Sequence, residues 1–248
     1  MSVESIVQDR YAEGAQERQE SLCCPVAYRP EMLELLPAEI IEKDYGCGDP
    51  SRYAQPGDVV VDLGSGGGKV CYIAAQIVGA EGRVIGIDMT DDMLALAERY
   101  REPMADKLGY SVVEFRRGYI QDVGEIIAAA SADLVISNCV LNLVAEAQRE
   151  RMIAGIYAAL KPGGRVAISD IVSIGAVPQH LKDDPELWSG CISGAFERDA
   201  LPAAFTSAGF EAVVYDSFEA QPWRTVEGID FHSATICARK PGGERGCC

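Results

Sequence analysis

The sequence predicts an α/β protein: a mostly parallel sheet with helices on both faces, plus a small C-terminal subdomain that helps bind substrate. Three observations carry this. A β-branched run at residues 59–61 stops in a cluster of glycines, V-V-V-D-L-G-S-G-G-G-K over residues 59–69. A second apolar run, R-V-I-G-I-D at residues 83–88, ends in an acid 20 residues beyond Gly68. Strands of this kind then alternate with helix-patterned segments as far as residue 171. Three successive valines leave neither face of a strand polar, so the first strand is expected at the centre of a parallel sheet.

In chain order, residues 3–20 read as an acidic amphipathic helix with Val3, Ile6, Val7 and Tyr11 near one face, expected to lie over a ligand cleft or the domain edge. Pro25 ends it, and residues 30–43 supply one or two short helices. The loop D-Y-G-C-G-D-P at 44–50 sets Cys47 between two glycines, and this predicts a flexible, exposed cysteine. Residues 69–78 open a helix whose free N–H groups point at a ligand. Thr90 is placed to cap a helix over 91–108, with acids in its first turn. A strand over 111–116 precedes Gly118-Tyr119-Ile120-Gln121-Asp122, and a strand over 132–137 runs into N-C-V-L-N-L at 138–143. A helix over 146–160 stops at K-P-G-G before a strand over 165–171. Beyond Ser173 come the Trp188–Cys191 segment, a helix over 201–208 and strands over 212–218 and 231–239. This divides the chain into an N-terminal helical segment with the cysteine loop (1–50), a ligand-binding core (51–172), C-terminal strands with a second cysteine segment (173–240) and a flexible Cys-Cys tail (241–248).

Composition narrows the partners. The 248 residues carry 22 basic and 38 acidic side chains, a net charge of −16, which disfavours nucleic acid and anionic membranes. A small neutral or cationic substrate fits better. No run of 18 apolar residues and no leader pattern is present, so a cytoplasmic location is expected. Nine cysteines form no conventional zinc pattern beside only two histidines, and their odd number argues against a full disulfide framework. Soft-ligand or redox chemistry is the leading explanation.

The glycine loop shows what the cleft holds. Gly64, Ser65 and Gly66 occupy the tight turn, and Asp88 has the spacing of a carboxylate that accepts ribose hydroxyls. Asp62 precedes the glycines, where it would repel a pyrophosphate but suit a sulfonium and an ammonium. D-L-G-S-G-G-G followed by G-I-D-M-T resembles the first two motifs of class I S-adenosylmethionine-dependent methyltransferases. That resemblance implies a Rossmann-like fold, S-adenosyl-L-methionine as cofactor, and Met89 among its contacts. Ile120 and Asp122 stand where a third motif would hold the adenine. Asn138 and Cys139, at the end of the fourth strand, fall at the expected reaction site.

Three further segments, Y-G-C-G, I-S-N-C-V-x-N-L and W-x-G-C-x-x-G-A, resemble in sequence and order the arsenite methyltransferase family over residues 20–240. The resemblance implies that Cys47, Cys139 and Cys191 bind trivalent arsenic. It implies that Cys23 or Cys24 forms a disulfide with Cys47 during turnover, that Tyr45 packs near the methyl sulfonium, and that a thiol reductant of thioredoxin or glutathione type is a partner. Soft thiolates select soft acceptors, and arsenic held by three of them keeps a lone pair free to attack a methyl carbon. Cys71 and Cys237 are read as structural. Cys247 and Cys248 are read as a site that captures arsenic, a pair that resolves a disulfide, or simple reactive thiols. Two other readings compete: a methyltransferase for another small molecule such as a quinone, sterol or amine, and a non-catalytic metalloid-binding thiol protein.

Overall fold

The computed structural model describes residues 3–17, 19 and 28–242. Helix α1 spans Val3–Gln16, followed by α2 (Pro30–Leu33) and α3 (Ala38–Glu42). The core then alternates β1 (Val59–Leu63), α4 (Lys69–Val78), β2 (Arg83–Asp88), α5 (Asp91–Arg99), α6 (Arg101–Leu108), β3 (Val113–Arg117), α7 (Val123–Ile126), β4 (Ala132–Asn138), α8 (Glu146–Ala159) and β5 (Leu160–Ser173). Helices α9 (Gln179–Lys182) and α10 (Pro185–Ser189), the short β6 (Phe196–Glu197), α11 (Ala200–Ser207), β7 (Glu211–Phe218), β8 (Arg224–Val226) and β9 (Ile229–Arg239) complete the elements of the described residues.

All nine strands join one sheet with the path β3-β2-β1-β4-β5-β9-β7. Strands β1 to β5 pair in parallel, and β9 runs antiparallel between β5 and β7. The Rossmann-like α/β fold expected from the sequence is therefore the one observed, with β1 central. Val61 and Leu63 enter the apolar core on one face, and Val60 enters the core on the other, so burial of both faces accounts for the run of valines.

Several boundaries differ from expectation: α1 ends at Gln16 instead of residue 20, β3 spans Val113–Arg117 instead of 111–116, and two further differences have clear causes. The 91–108 helix is broken at Tyr100 (φ −100°, ψ 0°), because Pro103 lacks an N–H and its ring would strike the Arg99 carbonyl in a continuous helix. Thr90 stands at the N-cap without a capping bond from its side chain. Strand β5 begins at Leu160 and runs through K-P-G-G, because the end of β9 supplies partners there: the N–H of Gly163 bonds Lys240 O at 3.0 Å, and the N–H of Lys240 bonds Gly164 O at 2.9 Å.

The strand order reverses between β1 and β4. Ligands of open parallel sheets bind outside the carboxyl ends of the strands at such a reversal. Among the described residues no helix is long and apolar enough to cross a membrane.

Candidate active site

A cleft opens at the carboxyl ends of β1, β2 and β4. Asp62, Gly64, Ser65 and Gly66 form its floor, with Asp88 and Met89 beside them. Tyr45, Ile120, Asn138 and Cys139 complete the set of predicted residues on its wall. Helix α1 lies across it through Val7 and Tyr11. The chain must pass close to β4 here: a Cβ on Gly64, which has φ 72°, would stand 2.5 Å from the Val140 methyls.

The two acids have different tasks. Asp88 accepts the N–H of Gly66 at 2.8 Å through one oxygen and that of Thr90 at 2.9 Å through the other, which ties the glycine loop to the start of α5. Burial raises its pKa, and hydrogen bonds from Thr90, Gly66 and Met89 oppose the rise. Asp62 is buried and accepts the Cys71 thiol at 3.2 Å. Burial pushes its carboxyl up to about 7, Asp44 and Asp88 add to the shift, and the Cys71 bond works against it. A cation in the cleft would reverse that balance. Ser65 Oγ is buried and finds no hydrogen-bond partner among the described residues, as expected of a group that awaits a polar ligand. Apolar walls, an acid suited to a cation and an unsatisfied hydroxyl fit S-adenosylmethionine. Asp122, by contrast, is absent from the cleft wall and pairs with Arg151 at 2.9 Å.

Next to the cleft, Cys47, Cys139 and Cys191 share one apolar cluster with Leu143, Ile171 and Phe231. Cys139 belongs both to this cluster and to the cleft wall. The Cys191 thiol donates to the Cys139 carbonyl at 3.3 Å. Cys139 (φ 59°) and Cys191 (φ 63°) hold left-handed backbone, a conformation costing non-glycine residues about 1–2 kcal/mol and concentrated at functional sites.

Cys47 differs from expectation. It is 5% exposed rather than on an open loop, because its N–H bonds Asn138 Oδ1 at 2.8 Å and its carbonyl accepts Ser233 Oγ at 2.6 Å. It forms a disulfide with Cys139, their Cα atoms 5.8 Å apart. Its expected partners Cys23 and Cys24 lie outside the described residues, as do Cys247 and Cys248.

Sequence reasoning did not single out Asp170. Its buried carboxylate reaches within 4.8 Å of the sulfurs of Cys47 and Cys139, and burial pushes its pKa up to about 7. It accepts Asn142 Nδ2 at 2.8 Å, and the same amide donates to Ile171 O at 2.6 Å. An acid inside the apolar run I-S-D-I-V was the available signal. Neither histidine is in the cleft: His180 pairs with Glu227, and His232 bonds Glu219 O.

Residues 54–223 match the methyltransferase domain family. Together with the fold and the cleft, this places the chain in the class I S-adenosylmethionine-dependent methyltransferases. Within that class it is related to the arsenite methyltransferases. It is 44% identical over 206 residues to the arsenite methyltransferase of Halobacterium salinarum, covering 79% of this chain and 50% of that protein. It is 36% identical to the human arsenite methyltransferase, covering 73% of this chain and 48% of that one. The crystal structure of an arsenic(III) S-adenosylmethionine methyltransferase from Chlamydomonas reinhardtii superimposes with a TM-score of 0.75 at 32% identity, covering 88% of this chain and 76% of that one. The chain spans about half the length of the curated relatives it matches.

Proposed function

We propose that this protein transfers a methyl group from S-adenosylmethionine to trivalent arsenic held by the thiolates of Cys47, Cys139 and Cys191. The observation that carries the proposal is the gathering of three cysteines, far apart in sequence, into one buried cluster that meets the cofactor cleft at Cys139. The names and identities of the relatives support the same substrate.

Asp62, Ser65, Asp88, Met89 and Ile120 would hold the cofactor, which supplies an electrophilic methyl on a sulfonium. Asp62 lies where a carboxylate offsets the cofactor's positive charge. The hydroxyl of Tyr45 is taken up by Gly14 O (2.9 Å) and the N–H of Gln19 (3.0 Å), so the ring is the part left to face the cleft. Three thiolates direct the arsenic lone pair outward, and that lone pair carries no proton, so the absence of a histidine base from the cleft is consistent with the chemistry. The protein's part is to align the reacting atoms and exclude water, with α1 over the cleft. In the disulfide form only Cys191 of the three remains a thiol, and a thiol reductant must restore the others before arsenic binds.

The test incubates reduced protein with S-adenosylmethionine, arsenite and a thiol reductant, then separates the arsenic species while following S-adenosylhomocysteine. Methylated arsenic is expected from the wild type and is expected to vanish in Cys47→Ser, Cys139→Ser and Cys191→Ser. Cofactor turnover on another acceptor, undisturbed by these substitutions, would overturn the reading; so would arsenite binding without any turnover.

A further inference from the structure

Asn138 was expected to contact the cofactor, and it does border the cleft. Its amide is engaged elsewhere. Oδ1 accepts the N–H of Cys47 at 2.8 Å and of Gly48 at 3.1 Å, while Nδ2 donates to Gly48 O at 2.7 Å and Tyr28 Oη at 3.1 Å. A primary amide has two donor hydrogens and two good acceptor sites, and these four bonds use them all. The orientation is the self-consistent one: turning the amide over would face its NH2 toward two backbone N–H groups.

We propose that Asn138 is a positioning residue for Cys47 and not a ligand of the cofactor. The inference rests on the proposed arsenic chemistry for its functional meaning, and on geometry for its substance. Asn138 immediately precedes Cys139, whose own N–H is fixed to Ser169 O at 2.8 Å. One short piece of backbone at the end of β4 therefore carries one sulfur directly and sets the other through an amide side chain. The placement of the two backbone positions that carry these sulfurs, bonded to each other here, is thus set from residues 138–139.

The rest of the 44–48 segment is adapted to this clamp. A Cβ on Gly46 would stand 2.1 Å from Asn138 Nδ2, so only glycine allows the approach. Tyr28 donates its hydroxyl to Gly48 O at 3.1 Å and its ring lies 3.8 Å beneath Lys69 Nζ, which pairs with Asp44 at 2.7 Å. Lys69 opens α4 just after the glycine loop. The Cys47 segment is thus gripped at one end by the helix that follows the cofactor loop and at the other by Asn138 and Tyr28.

The test compares fully reduced wild type with Asn138→Ala and Tyr28→Phe. Three quantities are read: cofactor affinity by calorimetry, arsenite affinity by equilibrium dialysis, and the alkylation rate of Cys47 by iodoacetamide, mapped by mass spectrometry. Asn138→Ala leaves the N–H groups of Cys47 and Gly48 without their acceptor, while Gly48 O keeps the Tyr28 hydroxyl. Arsenite affinity is expected to fall about tenfold and Cys47 alkylation to quicken by a similar factor, with cofactor affinity unchanged. Tyr28 lies off the cleft wall, and Tyr28→Phe is expected to move both readings the same way by about threefold, which keeps the test open should Asn138→Ala not fold. A tenfold loss of cofactor affinity in Asn138→Ala with unaltered Cys47 alkylation would overturn the proposal, as would wild-type alkylation rates in both variants. If the wild type binds no arsenite, the proposed function fails, and the alkylation rates still decide the role of Asn138.

Discussion

Among the residues proposed to hold the cofactor, Asp62 offers the sharpest test, because its protonation and the proposed ligand oppose one another. Burial holds its carboxyl near 7, so the folded protein binds that proton more tightly than the unfolded chain does. The stability this contributes is fully present below the ordinary carboxylate range and is lost as pH rises through about 7. A sulfonium or ammonium beside it favours the ionised form, so binding expels the proton. Cofactor affinity is therefore expected to rise about tenfold between roughly pH 6 and 8. Asp62→Asn should bind more weakly and show a flat profile; calorimetry in buffers of different ionisation enthalpy would measure both affinity and proton release. The same scale explains which site residues the sequence revealed. Gly64, Gly66 and Asp88 act through local backbone geometry and strand-end position, which spacing encodes. Asn138 acts through a loop 90 residues earlier in the chain, and no spacing rule reports that contact.

At the scale of elements, α1 is the part with the most leverage for its size. Gln8 Nε2 donates to Met89 O at 3.3 Å on the cofactor side, and Arg10 donates to Ser189 Oγ at 2.6 Å and Glu186 O at 3.1 Å on α10, beside the Cys191 loop. The helix thus bridges the two halves of the site. Arg10→Ala is expected to weaken cofactor binding by about threefold to tenfold. Hydrogen exchange should show the reason: amides of α1 exchange faster while those of β1 keep their protection. The amphipathic pattern of residues 3–20 pointed to a helix over the cleft or the domain edge, whereas its bonds to Met89 and to α10 were tertiary facts. The break at Tyr100 was legible in principle, since Pro103 forbids an unbroken helix. The extension of β5 through K-P-G-G was not, because its partners are Ala132 on β4 and Lys240, just past β9 and more than 70 residues later.

For the molecule as a whole, the two proposed binding functions are expected to be separable by redox state. The Cys47–Cys139 disulfide consumes two of the three proposed arsenic ligands without touching Asp62, Ser65 or Asp88. Protein kept free of reductant is expected to bind S-adenosylmethionine normally and arsenite not at all, with arsenite binding restored by a dithiol. Arsenite binding of equal strength in the oxidised and reduced protein would contradict this.

The sequence by itself determined the α/β architecture, the strand-to-glycine-loop ligand cradle and the cysteines most worth testing. The first two rest on periodicity, on glycine's conformational freedom and on short-range spacing, all of which are local; the cysteines were picked out by the resemblance of their segments to a known family. Only the tertiary structure decided that Cys47 is buried, that it meets Cys139, that Asp170 stands beside both, and that the Asn138 amide is spent on a loop instead of the cleft. Each of these depends on contacts between segments far apart in sequence, several of them satisfying buried polar groups. A chain can meet that requirement only once residues distant in sequence have been packed together.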